Sequence, residues 1–375
     1  MKAKRVSICF INLAKIFGGH EVMLMRWLGE LCQQGGRPLL VIERFGPIPS
    51  KDIPAGCKII RFNSWNRDGP LGLRKRLDAV RLVFLLLWLR LRWGVTAVVV
   101  TEGALMAQEL ATRAAKVSGH RTAVYCPLVD RFSHYGWEAA EQRFFARYVN
   151  LPDMWITPTA HQRDQFLDWS KSRRPVAVLP NTLPHKLTLN PKPSVKGKRI
   201  VFIGRLASHQ KGLDFLADYV SANSDLFRKR LWTITLIGEG QDRADLEKRF
   251  GLQVNHDVVK FTGWLPIEDA LALAHCVLLP SRFEGVPLVV MEATSVGVPV
   301  VATDLPGTRP FLSPDCLFPV GDMYAAFDCI SRLFEEPELE KATLRYAQLQ
   351  LQVHFSACAF SNAVRGLTVA LHRGN

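Results

Sequence analysis

Two glutamates and two basic residues in the second half of this chain have types and spacings that suit an anionic, hydroxyl-bearing ligand. Glu284 and Glu292 stand with seven residues between them. Glu284 precedes, and Glu292 lies on, a short helix that opens near Pro287, so the pair straddles a helix N-terminus. Free N–H groups and the helix dipole favour an anion there. Carboxylates at that place accept hydrogen bonds from hydroxyls. The same spacing also fits a helix-start glutamate followed by a solvated one. Arg205 and Lys211 lie six apart across a loop that opens another helix. A guanidinium fork and a point-charge ammonium suit a diphosphate. Two solvated loop cations would share that spacing.

Strand, tight loop and helix must position these groups. Cys276 to Leu279 is an apolar run of the buried-strand type, ended by Pro280 and Ser281. Gly285 allows a close backbone approach, and Pro287 suits the first turn of a helix, where its missing N–H is no loss. Gly297 and Pro299 stop that helix about three turns later, and Val298 to Ala302 returns to the sheet. Upstream, Arg199 to Ile203 reads as a strand, Gly204-Arg205-Leu206 as a turn, and Lys211-Gly212-Leu213-Asp214 as the start of a helix. Thr233 to Ile237 is the next strand, followed by Gly238-Glu239-Gly240 and a helix from Asp242. A lone Gly-x-Gly is weak evidence for a dinucleotide site, and Arg243 stands where the third glycine would be. Val258 to Thr262 is a further strand, and Ile267 to His275 the helix leading to Cys276.

The first half repeats the alternation. Val6 to Asn12 is a strand, and Gly18-Gly19 opens a helix with Val22, Met25, Leu28, Leu31 and Cys32 at helical spacing, ending at Gly35-Gly36. Gly-Gly there suits an anion pocket or a plain tight turn. Strands are expected at Pro38 to Ile42, Thr96 to Thr101, Thr122 to Tyr125 and Met154 to Thr157. Helices are expected at 104–117 and from Thr159. Residues 71–93 form a basic, leucine-rich helix carrying Arg74, Lys75, Arg76, Arg90 and Arg92. It is either a surface helix with a buried leucine face or an interfacial helix on anionic lipid. Pro184 to Lys198, rich in proline and lysine, reads as a linker. The tail continues with helices at 323–334, 338–353 and 355–373. Strands alternating with helices in both halves imply two doubly wound α/β domains.

Bulk properties narrow the class. A chain of 375 residues suits two domains, and an apolar content of 48% is ample for both cores. Eight cysteines without a Cys-x-x-Cys pair read as reduced thiols, not as a disulfide frame or zinc site. The apolar stretch from Val6 to Leu13 is short for a signal peptide, and Leu82 to Leu89 cannot span a bilayer. Net charge is +14 and one-sided: residues 1–185 hold 27 Lys and Arg against 14 Asp and Glu, residues 186–375 hold 21 against 20. No nucleic-acid-binding motif accompanies that charge, so no nucleic-acid partner is expected. An anionic leaflet carrying a lipid-linked acceptor fits it.

Glu284, Gly285, Val286 and Pro287, with Met291-Glu292-Ala293 and the run Gly297 to Thr303, resemble the E-x7-E signature of retaining glycosyltransferases with the GT-B fold, family 4. Gly204-Arg205-Leu206 and Lys211-Gly212 with Asp214 are similar to that family's phosphate clamp. Glu239 and Gly240 match its Gly-x-Gly beside the base, and Gly18, Gly19 and Glu21 its Gly-Gly-x-Glu. The resemblance runs most closely over residues 199–303. It implies a GT-B fold of two Rossmann-like domains facing a cleft: 1–185 for the acceptor, 186–354 for the nucleotide sugar, and a helix at 355–375 packing back on the first. It also implies transfer of a sugar from a nucleoside-diphosphate donor to a hydroxyl of a glycan or lipid-linked acceptor, in surface polysaccharide assembly such as that of lipopolysaccharide.

The implied catalytic residues are Glu284, Arg205 and Lys211. The donor is expected at Gly18, Gly19, Gly204, Glu239, Gly240, Gly285, Val286, Pro287, Leu288 and Glu292. Neither cofactor nor metal is expected, since no Asp-x-Asp occurs and the basic clamp replaces the cation. The expected place is the cytoplasm, and the one-sided charge adds peripheral contact to anionic membrane through the basic first domain. Two departures stand out: Cys126 and Pro127 where many relatives carry His, with His120 and His134 nearest, and Pro306-Gly307-Thr308-Arg309 where relatives often have Gly-Gly and an acid. A nucleotide-sugar epimerase or hydrolase of the same fold, or a non-catalytic binding subunit, are the alternative readings.

Overall fold

The computed structural model describes residues 8–14, 18–46, 48–64, 73–102, 107–129, 139–183, 187–189 and 197–372, without the side chains of 73–76, 140 and 141. The chain divides into two compact units, Met1–Thr182 with Ala357–Asn375, and Leu183–Ser356.

In the first unit the elements run β1 (Ile8–Asn12), α1 (Gly19–Gln33), β2 (Leu39–Glu43), β3 (Lys58–Phe62), α2 (Leu73–Trp93), β4 (Ala97–Val100), α3 (Gln108–Val117), β5 (Arg121–Tyr125), α4 (Ala139–Tyr148), β6 (Met154–Thr157), α5 (Ala160–Ser170) and β7 (Val176–Val178). They build a seven-stranded parallel sheet in the order β3-β2-β1-β4-β5-β6-β7. Every residue of β1, β2, β4 and β6 is buried, because helices cover both faces of a parallel sheet. That double burial is why these strands read as unbroken apolar runs. β3 does not read that way and was not expected. It is the edge strand, with Lys58, Ile59 and Arg61 exposed, so its sequence mixes charge with apolar residues. Beside β6, Trp155 packs against Phe145, Tyr148 and Phe166 with ring centroids 4.9–6.2 Å apart.

In the second unit the order is β8 (Lys198–Ile203), α6 (Ser208–Lys211), α7 (Leu213–Ala222), α8 (Ser224–Arg230), β9 (Trp232–Ile237), α9 (Arg243–Arg249), α10 (Leu252–Asn255), β10 (Val259–Gly263), α11 (Ile267–Leu273), β11 (Cys276–Leu279), α12 (Leu288–Ser295), β12 (Val300–Thr303), β13 (Leu317–Phe318), α13 (Met323–Glu335) and α14 (Pro337–His354). The six-stranded sheet is again parallel, ordered β10-β9-β8-β11-β12-β13. The last helix, α15 (Ala357–His372), belongs to the first unit. It buries Phe360, Val364, Leu367 and Leu371 at helical spacing. Gln34 Nε2 donates to the Ser361 carbonyl at 3.0 Å, and the Ser361 hydroxyl donates to Glu30 at 2.7 Å.

Most expected boundaries shift by a residue or two, as helix and strand ends fray. Two differences matter for the site. Pro287 is not inside the first turn of α12 but is its N-cap, extended at φ −69° and ψ 115°. α12 is also shorter than three turns, eight residues, because Val298 N–H already bonds the Ala293 carbonyl. Val6, Gly103, Asp130, His134, most of the 184–198 linker and the side chains of Arg74, Lys75 and Arg76 lie outside the described residues. Among the described residues, no helix is long and apolar enough to cross a membrane.

Candidate functional site

β8 and β11 are neighbours in the second sheet, with Ile200 opposite Cys276. From β8 the chain proceeds to β9 and β10 on one side; from β11 it proceeds to β12 and β13 on the other. Their carboxyl ends therefore flank the crevice where strand order reverses, the usual ligand position in an open α/β sheet. Arg205 and Lys211 follow β8, and Glu284 follows β11.

The crevice brings Lys211 and Glu284 together. Lys211 Nζ donates to Glu284 Oε1 at 2.5 Å, and the Ser281 hydroxyl donates to the same oxygen at 2.7 Å. The Glu284 side chain is 6% exposed and that of Lys211 17%. The ammonium pairs with this enclosed carboxylate, and the hydroxyl bonds the same oxygen.

Arg282 locks the two loops to one another. Its guanidinium donates to both carboxylate oxygens of Asp214, at 2.7 and 2.6 Å, and to the Ser208 carbonyl at 2.9 Å. It also stacks 3.9 Å from the centroid of Phe215. Burial works against the Asp214 charge, but the hydrogen bonds and charge of Arg282 outweigh it and hold the carboxyl below its ordinary range. Gly212 adopts φ +62°, and a Cβ there would sit 1.9 Å from the Pro280 carbonyl oxygen. Only glycine permits that turn and that approach.

The β8–α6 and β9–α9 loops are joined backbone to backbone. Gly204 N–H bonds the Ile237 carbonyl, and Leu206 N–H the Glu239 carbonyl, each at 3.0 Å. A Cβ on Gly240 would meet the Leu206 carbonyl oxygen at 2.2 Å. These glycines thus serve close loop packing. The Glu239 side chain is exposed and pairs with Arg243 at 2.9 Å. Arg205 is half-buried, and its Nε is shielded from solvent with no hydrogen-bond partner among the described residues. That leaves one donor of the expected clamp unspent.

Gly285 and Pro287 are buried, Val286 and Leu288 half-buried, and Glu292 is 7% exposed on α12. The departing Pro306–Arg309 loop folds onto this corner. A Cβ on Gly307 would meet the Gly285 carbonyl oxygen at 2.0 Å. Thr308 Oγ1 donates to the Thr303 carbonyl at 2.6 Å and pins the loop from within.

In the first unit, Gly18 and Gly19 open α1 after β1. Gly18 N–H donates to Glu21 Oε2 at 2.7 Å, so the buried Glu21 caps its own helix. Asn12 Nδ2 bridges from β1 to the Thr101 carbonyl beyond β4 at 3.0 Å, across that sheet's reversal point. Cys126 is buried and donates to the Leu128 carbonyl at 3.2 Å; burial pushes its thiol up to about 12, so it is no base or nucleophile near neutrality. Burial, then the Arg90 charge, lowers His120 to about 4.

Sequence reasoning missed Ser281, Asp214 as the partner of Arg282, and the Asn12–Thr101 bridge. Ser281 had a local signal, three residues before Glu284. The other two pair residues 68 and 89 apart, with no local signal.

Residues 197–336 match the family model of glycosyl transferases group 1. An alpha-D-kanosaminyltransferase of Streptomyces kanamyceticus is 27% identical over 45% of this chain and 44% of its own length, so the alignment spans less than half of that relative. The amylovoran biosynthesis glycosyltransferase AmsD of Erwinia amylovora is 24% identical over 63% of this chain and 67% of its own. The solved Anabaena Alr3699/HepE, in complex with UDP and glucose, superposes with a TM-score of 0.77 at 17% identity, over 97% of this chain and 100% of that one. Residues 197–336 are thus similar to glycosyl transferases group 1, and the two Rossmann-like units have the GT-B fold.

Proposed function

We propose that this protein is a retaining glycosyltransferase. It moves a sugar from a nucleoside-diphosphate donor to a hydroxyl of a glycan or lipid-linked acceptor, in surface polysaccharide assembly at the cytoplasmic face of a membrane. The observation that carries the reading is the meeting of Lys211, Glu284 and Ser281 at the sheet's reversal point. The similar kanosaminyl- and amylovoran-pathway transferases, and the UDP and glucose held by the Anabaena protein, support a nucleotide-sugar donor.

Departure of the diphosphate builds negative charge. Arg205, Lys211 and the N–H groups at the start of α12 are assigned to stabilise it, each donor contributing about 2–4 kcal/mol to lowering the barrier. Glu284 orients the donor sugar, with backbone around Gly285, Val286, Pro287 and Leu288 at its hydroxyls. Glu292 holds the ribose, and Gly204, Glu239 and Gly240 line the nucleotide side. The leaving phosphate takes the acceptor proton, so the chemistry needs neither a metal nor a histidine at Cys126.

The test is a thermal-shift panel of UDP, GDP, ADP and their sugars on the wild type and Arg205→Ala. A ligand bound to the folded state alone raises Tm by mass action. One nucleotide should raise Tm in the wild type and fail in Arg205→Ala. Silence across the panel overturns the reading. Consumption of donor without any acceptor would assign hydrolysis or epimerisation in its place.

A further inference from the structure

α2 is apolar on two opposite faces. Leu82, Leu86 and Leu89 are fully buried, and the helix packs against α3. On the other side Leu77, Val80, Phe84, Leu87, Trp88 and Leu91 are all exposed, Phe84 by 67% and Leu91 by 87%. Their spacing of three and four residues gathers them into one stripe about 100° wide. A surface helix needs only one apolar face for its core, so the second is unexplained by folding. The helix has 21 residues, about 31 Å at 1.5 Å per residue.

The charges of α2 that border the stripe are basic. Arg81 and Arg92 border it on the wheel, and Arg92 is exposed. Near its C-terminal end Lys58 lies 4.6 Å above the Trp93 ring, which meets Trp88 edge-on at 5.2 Å. Arg90 is committed elsewhere, donating to the Ser118 and Gly119 carbonyls. The single acid of α2, Asp78, is buried against Arg81. A second copy on this face would confront the same exposed Arg92 and Lys58. A lipid surface with anionic headgroups meets both features: acyl chains take the stripe, headgroups take the cations, and the tryptophan rings sit at the boundary.

We infer that the exposed face of α2 lies in the plane of an anionic membrane leaflet, seated by Phe84, Trp88 and Leu91 and held by Arg92 and Lys58. This inference rests on the membrane placement in the proposed function, but vesicle binding is measured with no donor or acceptor, so its failure would leave sugar transfer itself standing.

The experiment sediments the full chain with vesicles of phosphatidylglycerol mixed with phosphatidylcholine, and with phosphatidylcholine alone. The wild type should sediment with the anionic vesicles and bind the neutral ones at least about tenfold more weakly. The double variant Phe84→Ser, Leu91→Ser should lose about tenfold or more of the anionic binding while keeping the wild-type Tm, since both side chains are exposed. Arg92→Glu should weaken binding and reduce its salt dependence. Wild-type protein remaining in the supernatant overturns the inference, as does undiminished binding by the double variant. A concentration-dependent dimer that the double variant dissolves, without vesicle binding, would assign the face to a second copy instead.

Discussion

Lys211 Nζ and Glu284 Oε1, on residues 73 apart in sequence, lie 2.5 Å apart at the point where β8 and β11 part company. The ammonium proposed to meet the diphosphate is thus the partner of the carboxylate proposed to meet the sugar. Each limits the other: a phosphate oxygen approaching Lys211 competes with Glu284 for the same three N–H donors.

Glu284→Gln keeps the shape of the side chain and removes that competition. The isolated nucleoside diphosphate should bind about 3- to 10-fold more tightly, the difference between a charged and a neutral acceptor at Lys211. Transfer from the full donor should fall about 10²- to 10³-fold, because the group orienting the sugar is weakened. Calorimetric titration with the diphosphate, beside turnover of its sugar, reads the two effects. Weaker diphosphate binding in Glu284→Gln would refute the competition.

Gly307→Ala and Gly366→Ala form a matched pair. At Gly307 the new methyl group meets the Gly285 carbonyl oxygen at 2.0 Å, whereas at Gly366, on the exposed side of α15, it meets nothing within 4 Å. Gly307→Ala should cost about 1–3 kcal/mol of stability and weaken donor binding, because the backbone it displaces carries Glu284. Gly366→Ala should stabilise by about 0.5–1 kcal/mol through helix propensity alone. Denaturant unfolding of both variants, with donor titration, checks the pair.

His120 makes stability depend on pH above the range where carboxylates act. Its folded value of about 4 lies below the ordinary 6.5, so the unfolded chain binds the extra proton between those limits. Stability from this residue is therefore complete above pH 6.5 and drains as pH falls toward 4, by about 3 kcal/mol at most. Asp214, whose folded value is also depressed, contributes above its unfolded value and loses that contribution as pH falls through the folded one, a lower window. The wild-type Tm should decline from pH 7 to pH 5, and His120→Gln should flatten that decline. An unchanged slope in the variant would reject the assignment.

The alternation of strands and helices, the glycine loops after β1, β8 and β9, and the corner from Glu284 to Thr303 were all legible in the sequence. Each rests on local chemistry: doubly buried strands must be continuously apolar, tight loops demand glycine, and helix starts favour proline and acids. Edge strand β3 escaped because a half-exposed strand needs no such run. What only tertiary structure decided is which loops meet. Lys211 reaches Glu284, Arg282 clamps Asp214, and Gly307 closes on Gly285 because parallel pairing sets β8 beside β11 and β11 beside β12. Sheet order is set by competition among distant strands for neighbours, and no spacing along the chain records its outcome. The two readings of α2 stayed open in the sequence for a related reason. Leucines on both sides of a helix look alike in sequence, and only packing separates the face that the core covers from the face left to solvent.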